Sequence, residues 1–323
     1  MTISSGHGFS RRTVLLLGTG MAALGGMPAR AGAEPLQLRV AVPGADAASL
    51  MAAMGPAVEK SLALAVQVMA FRTEPNGRWP IEVVYLAPPG SMQMLVAGPS
   101  HLFSFRTYSN KSLDPAHLTK IMKLTRGESY GVAVPRDARG GGLATLAGLA
   151  KGRALRIAVI DTRNGHALFA DLLGRQAGVE VQKVYEDSAD GAIRALATGT
   201  ADAAVINTSS FVLMRASHPD LRLLATSGAK RSSNFPTTPT LAEITGEPKL
   251  SFTLSLGRYG PPRMSEATAK RIDAAVRTAA AIPSIRQAAS KLGYVLDPLG
   301  PDGLAIDFGR VERAMRGVVK DSV

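Results

Sequence analysis

Arg156-Ile157-Ala158-Val159-Ile160 is a continuous apolar run of strand length. It passes through the polar turn Asp161-Thr162-Arg163-Asn164-Gly165-His166 into an amphipathic run, Ala167 to Gln176, closed by Gly178. Val179 to Val184 reads as a second strand and Tyr185-Glu186-Asp187-Ser188 as an acidic turn. A second helix spans Ala189 to Ala197 and ends at Gly199, and a third strand, Ala203-Ala204-Val205-Ile206, stops at Asn207. Strands alternating with helices of this length are βαβ units of a parallel sheet. Such sheets hold ligands beyond the carboxyl ends of their strands. The polar turns after Ile160, Val184 and Ile206 all fall on that edge, so this stretch predicts half of a site for a small anion.

Working outward, Leu36 to Val42 is a first strand ending in Pro43-Gly44-Ala45-Asp46, followed by a helix from Ala47 to Leu64. Val66 to Phe71 is a second strand, and Pro75-Asn76-Gly77 is a turn signal. Ile81 to Leu86 is a third apolar run, broken by Pro88-Pro89-Gly90, and Met92 to Val96 a fourth, ending at Gly98-Pro99-Ser100-His101. Leu118 to Leu124 and Gly131 to Val134 read as a strand pair. Arg139-Gly140-Gly141-Gly142 marks the first crossing between domains, ahead of a helix from Leu143 to Leu149. Leu221 to Ala225 and Phe252 to Leu256 carry the chain back. Helices follow over Glu266–Ile282, Ile285–Leu292 and Pro301–Val319, with Tyr294-Val295 a short strand. The expected fold class is α/β in two lobes, each a mostly parallel sheet flanked by helices. The first lobe takes residues 34–138 plus 252–323, the second takes 139–251, and a two-segment hinge suits closure around a ligand.

Residues 1–33 read as an export leader. Ser10-Arg11-Arg12-Thr13 precedes the apolar run Val14 to Leu24, and Ala29-Arg30-Ala31 and Ala31-Gly32-Ala33 are small-residue cleavage patterns. The paired arginines point to a twin-arginine signal, which is an address read by a receptor. The run is short and glycine-rich for a membrane span. The mature protein is therefore expected to be soluble and periplasmic.

The 323 residues have room for two domains with sizeable cores. An apolar fraction of 46% and a charged fraction of 19% are those of a globular protein. With no cysteine, disulfides, thiolate metal sites and cysteine nucleophiles are excluded. A formal charge of +12 attracts anions at long range. The basic residues are scattered and aromatics make up only 5%, so no stacking platform for nucleic acid stands out. Small acids are the expected partners.

Several stretches together resemble the substrate-binding proteins of tripartite tricarboxylate transporters, the Bug receptors. The resemblance is carried by Leu146 to Gly178, Ala189 to Val205, and above all Thr226-Ser227-Gly228-Ala229-Lys230-Arg231-Ser232 followed by Pro236-Thr237-Thr238-Pro239-Thr240-Leu241-Ala242-Glu243. Gly260-Pro261-Pro262 before a long helix and the pair Leu292-Gly293 also fit the family pattern. The resemblance implies a periplasmic-binding-protein-like fold, a small organic acid as ligand, membrane transporter subunits as partners, and no enzymatic activity. It weakens in the first lobe, where Arg72 to Trp79 replaces the expected glycine-rich segment.

The candidate ligand-binding residues follow from the strand-end turns. Thr162, Arg163, Asn164, Gly165 and His166 precede a helix, whose free N–H groups and dipole suit a carboxylate. Thr162 and Asn164 add side-chain donors, and Arg163 either grips an acid bidentately or points to solvent. His166 is equally a packed or capping histidine. Pro43, Gly44, Ala45 and Asp46 face the same cleft if the lobes are alike, with Asp46 also able to cap its helix. Gly98, Ser100, Tyr185 and Asn207 complete the set. Neither metal-ligand spacing among the histidines, nor a nucleophile elbow, nor a phosphate loop occurs. The reading is an exported receptor, expected without metal or cofactor and as a monomer, that delivers a carboxylate to a transporter. A sensory module and an enzyme on the same scaffold are the alternatives.

Overall fold

The computed structural model describes residues 37–43, 45–71, 80–108, 112–160, 165–232, 234–253, 255–292 and 294–316. The expected leader lies outside the described residues. The chain opens with β1 (Gln37–Pro43), α1 (Ala45–Leu62), β2 (Ala65–Phe71), α2 (Pro80–Tyr85), β3 (Gln93–Ala97), α3 (Pro99–Tyr108) and β4 (Thr119–Thr125). It continues through β5 (Tyr130–Pro135), α4 (Ala144–Ala150), β6 (Leu155–Ile160), α5 (Gly165–Ala177), β7 (Val181–Glu186), α6 (Ala189–Ala197), β8 (Ala203–Asn207), α7 (Thr208–Met214), β9 (Leu221–Thr226) and α8 (Leu241–Thr245). It ends with β10 (Gly257–Gly260), α9 (Glu266–Ala281), α10 (Pro283–Lys291), β11 (Leu296–Leu299) and α11 (Asp302–Met315).

Two sheets result, in the orders β11-β4-β10-β3-β1-β2 and β7-β6-β8-β5-β9. β1 is parallel to β2 and β3, and β6 to β7 and β8. β10 is antiparallel to β3 and β4, and β5 to β8 and β9. The sheets are therefore mixed, which corrects the expectation of mostly parallel ones. Parallel neighbours need a crossover helix, and α1, α2, α5 and α6 supply them. β5, which enters the second lobe with no helix before it, pairs antiparallel with β8 and β9.

Burial explains the sequence patterns. β8 is buried throughout, so its run is apolar without alternation. The edge strands β2 and β7 alternate between half-buried and exposed residues. In the second lobe Val132, Ile157 and Val159 pack with Phe169 and Leu173 of α5, while Ala133, Ala158 and Ile206 face Ile193 of α6. In the first lobe Val40, Met94 and Val96 pack under α1 and α9, and Ala41 and Leu95 meet Phe105 of α3. Helix ends follow local chemistry. Ser188 caps α6 by accepting from the Gly191 N–H, and Thr240 and Glu243 form a capping box on α8.

The first crossing comes earlier than residue 139. Arg126 N–H still bonds Val295 of the first lobe, whereas the Ser129 carbonyl already accepts from Thr208 of the second. β4 and β5 thus lie in different sheets and are not the pair their sequences suggested, because β5 is buried between β8 and β9. Gly127 sits where a Cβ would strike the Thr253 side chain, so the two crossing segments run in close contact. Residues 81–86 are mostly helical and not a strand. Pro80, Ile81 and Val84 are buried at helical spacing, and a short apolar run carries too little periodicity to separate the two. β11 begins at Leu296, beyond the Tyr294-Val295 expected.

α11 belongs to both lobes. Leu304 joins the first-lobe core, whereas Val311, Ala314 and Met315 join that of the second. Between them Asp307, 2% exposed, takes Lys123 Nζ at 2.5 Å and the Ser255 hydroxyl at 2.8 Å.

Arg258 on β10 is the anomaly of the first-lobe core. It is 1% exposed, and its guanidinium nitrogens reach Met94 Sδ (3.6 Å) and Met54 Sδ (3.5 Å), with no carboxylate partner among the described residues. Burial pushes its pKa down to about 9. An uncompensated buried charge is costly, and apolar replacement of buried ionic groups often stabilises by roughly 1–4 kcal/mol. Arg258→Met is therefore expected to raise the thermal unfolding midpoint, as read by calorimetry. A lower midpoint would overturn this and show that the Met54 and Met94 contacts hold the guanidinium favourably.

Candidate functional site

The parallel strands β1, β3, β6 and β8 bring their carboxyl ends to the sheet edges where α1, α3, α5 and α7 begin. α3 of the first lobe packs against α5 of the second. The contact is tight at Gly165, where a Cβ would collide with the Tyr130 side chain and lie 2.7 Å from Ser100 Oγ. Only glycine allows this approach of a helix start to its neighbours. Ser100 Oγ and Tyr130 Oη are 3.0 Å apart, joining the two lobes by a hydrogen bond.

Tyr130 opens β5, and antiparallel pairing sets it opposite Asn207 at the end of β8. Its ring stands edge-on to His166, with centroids 4.9 Å apart. His166 Nε2 lies 3.0 Å from Asn207 Oδ1, so Nε2 carries the proton in this arrangement. On the first-lobe side His101 Nδ1 accepts from the Gly98 N–H at 3.3 Å, which places its proton on Nε2.

Burial sets the charges. It pushes the pKa of His101 down to about 4. It pushes His166 down to about 3, helped by nearby His101 and opposed by the Asn207 hydrogen bond. Both imidazoles are neutral at pH 7. Glu128, on the crossing segment, accepts from the Ser209 N–H at 2.8 Å. Burial nevertheless raises its pKa to about 7, with the hydrogen bonds from Ser209 and Thr208 offsetting only part of the effect. Burial also raises the Tyr130 phenol, so it stays a protonated donor. Apart from Glu128, the cluster is thus a set of neutral groups at two helix starts. Among the described residues no three His, Asp or Glu side chains are placed to hold a metal.

A model of the tripartite tricarboxylate transporter receptor family matches residues 81–303. The chain belongs to this family. No curated protein matches it in sequence. Among solved structures, the receptor is similar to MatC from Rhodopseudomonas palustris with bound malate, at 17% identity and TM-score 0.69, covering 88% of this chain and 98% of that one. A second R. palustris protein, with adipate, matches at 17% identity and TM-score 0.69, over 87% and 97%. The periplasmic binding protein BugD matches at 15% identity and TM-score 0.67, over 88% and 95%. These likenesses carry the two-sheet α/β fold expected of the family. Among the described residues no helix of the receptor is long and apolar enough to cross a membrane.

Of the residues singled out in the sequence, Gly98, Ser100, Gly165, His166 and Asn207 come together in the receptor. α5 begins at Gly165, two residues before the helix expected from the sequence, so Gly165 and His166 form its first turn. Thr162, Arg163, Asn164 and Gly44 lie outside the described residues. Pro43 ends β1, and Ala45 and Asp46 open α1, at the matching edge of the first lobe. Tyr185 is 51% exposed on the edge strand β7 and makes no bond to the cluster among the described residues. Tyr130, His101 and Glu128 were not in that set. The signal for Tyr130 is topological, since it becomes visible only once β5 is placed beside β8.

The pKa shifts give the cluster a pH signature. The histidines protonate more readily when unfolded, so stability falls as pH drops from about 6.5 toward about 4 for His101 and about 3 for His166. Glu128 acts oppositely, contributing stability present below about 4.5 and lost as pH rises toward about 7. Each group contributes a slope of up to about 1.4 kcal/mol per pH unit within its window. His166→Gln is expected to flatten the rise of the unfolding midpoint between about pH 3 and 6.5, and Glu128→Gln to steepen that rise above about pH 4.5 and remove the loss toward about pH 7. Curves parallel to the parent's would remove the histidine and glutamate assignments.

Proposed function

We propose that the protein is an exported, non-enzymatic receptor that closes on a small carboxylate and delivers it to a tripartite tricarboxylate-type transporter in the membrane. The observation that carries this reading is the meeting of the α3 and α5 starts at the strand carboxyl edges, with Ser100, Tyr130, His166 and Asn207 between them. Helix N-termini offer free N–H groups and a positive dipole end to an anion. The positive charge of the chain favours encounter with acids. Malate and adipate in structurally similar proteins support a mono- or dicarboxylate as ligand. Thr162, Arg163 and Asn164, immediately before α5, are the residues through which the second lobe grips it, with Pro43, Gly44, Ala45 and Asp46 as the first-lobe counterpart.

Calorimetry against a panel of organic acids should give a one-to-one complex with at least one of them. Asn164→Ala should remove a charge-assisted hydrogen bond worth roughly 1.5–3 kcal/mol, about ten- to a hundredfold in affinity. Arg163→Ala should weaken binding in a salt-sensitive way, and Asn207→Ala should weaken it by loosening His166. Asp187→Ala, on a neighbouring turn, serves as the control. Turnover of a bound acid, or no binding across the panel, would refute the receptor reading. Unchanged affinity in folded Asn164→Ala and Arg163→Ala would move the anion to the first-lobe turn.

Export through the twin-arginine route is part of the same proposal, supported by Arg11-Arg12 and the apolar run behind them. Replacing both arginines by lysine should retain the precursor in the cytoplasm. Normal periplasmic recovery would exclude that route.

A further inference from the structure

At the end of α5 far from the cleft, the surface carries an open pocket of about 610 Å³. Its walls are the last turns of α5 and α11 and the segment around Glu247 to Leu250. Leu172, Leu250 and Ala314, at 1%, 3% and 4% exposure, form an apolar floor. Arg175, Lys249, Arg313 and Arg316 line it with a single carboxylate, Glu247, which pairs with Lys249 at 3.0 Å. Arg313 and Arg316 have no carboxylate partner among the described residues.

Part of this charge answers the helix carbonyl ends, since α5 closes at Ala177 and α11 at Met315. All four cations are exposed around the pocket, but the carbonyl ends alone do not call for their convergence from three walls on one apolar floor. We propose that this cavity is a second ligand site, for a small multivalent oxyanion such as a di- or tricarboxylate or inorganic phosphate. The volume lies in the range of about 300–1,000 Å³ usual for small-molecule sites. Arginine forks bind such oxygens bidentately, and the apolar floor accepts the carbon body of a polycarboxylate. An anion bridging Arg313 and Arg316 to Arg175 and Lys249 would brace α11, which threads both cores, against the second lobe.

Titration calorimetry with citrate and, separately, with inorganic phosphate tests the site. The purified protein should bind at least one probe saturably. The double variant Arg313→Ala/Arg316→Ala should weaken one binding event at least about tenfold, and Asn207→Ala should weaken only a separate event in the cleft. Both arginines are exposed, so the variant should fold with the parent's unfolding midpoint. Arg313→Lys/Arg316→Lys, keeping charge without the fork, should recover part of the affinity. Saturation by citrate alone would assign the cavity to polycarboxylates, and saturation by phosphate to small oxyanions generally. Heats that never saturate, or equal affinity in the parent and the double alanine variant, would overturn it. Because the cleft variant is scored separately, failure here leaves the receptor reading untouched.

Discussion

The hydroxyl of Ser227 holds together the two stretches of chain that pass between the lobes. It accepts the Tyr130 N–H at 3.0 Å and donates to the Phe252 carbonyl at 2.8 Å. The Ser227 backbone adds bonds to Tyr130 and Phe252 at 2.9 and 2.8 Å. The residue is 0% exposed, so no water can replace these partners, and each one lost would leave a buried group unpaired at about 1–3 kcal/mol. Tyr130 is thereby fixed at its backbone, while Phe169 and Phe252 pack its ring at 6.0 and 5.6 Å. Only then does its hydroxyl reach Ser100 across the cleft. The cleft inherits its geometry from the crossing.

A second tie works from the other side. The Asp307 carboxylate draws Lys123 of β4 and Ser255 of the second crossing to one point on α11. A buried ion pair of this kind contributes little net stability, but removing one partner is costly. Its consequence is geometric. α11 is held to the first lobe at Asp307 while its last turn packs in the second, and Arg106 of α3 adds a bond to Glu312 at 2.7 Å. Relative motion of the lobes must therefore be carried by α11 and by the two segments that Gly127 allows to run side by side.

The second lobe was the more legible half of the sequence. Its central strands β6, β8 and β5 are largely buried and its helices end in turn residues, so the apolar runs and breaks from Leu155 to Asn207 map directly onto elements. Gly165, His166 and Asn207 fell at strand ends and helix starts for that reason. The crossing was hidden because the few residues between β4 and β5 resemble a hairpin connection as much as a passage between sheets. Placing β5 in the wrong sheet concealed Tyr130 and Glu128 together. α3 escaped because Gly98-Pro99 reads as a break, although proline is favoured at the first position of a helix. Tyr185 lies apart from the cluster. It follows a strand of the right unit, but β7 is an edge strand and turns the ring to solvent.

The charge state of the cluster sets what it can select. Both histidines are held neutral by burial and the His166 N–H is given to Asn207, so an anion bound as proposed would be met by oriented neutral donors and not by a full positive charge. Such donors reward correct geometry and give little to a misplaced charge. Glu128 adds a condition. An ionised carboxylate near the cluster opposes an anionic ligand, and its pKa near 7 means that the neutral acid is within reach at physiological pH. Two negative charges brought together in a dry site raise each other's proton affinity. On the proposed reading, an anion in the cleft and a proton on Glu128 would reinforce one another, and Glu128 sits on the segment that crosses between the lobes.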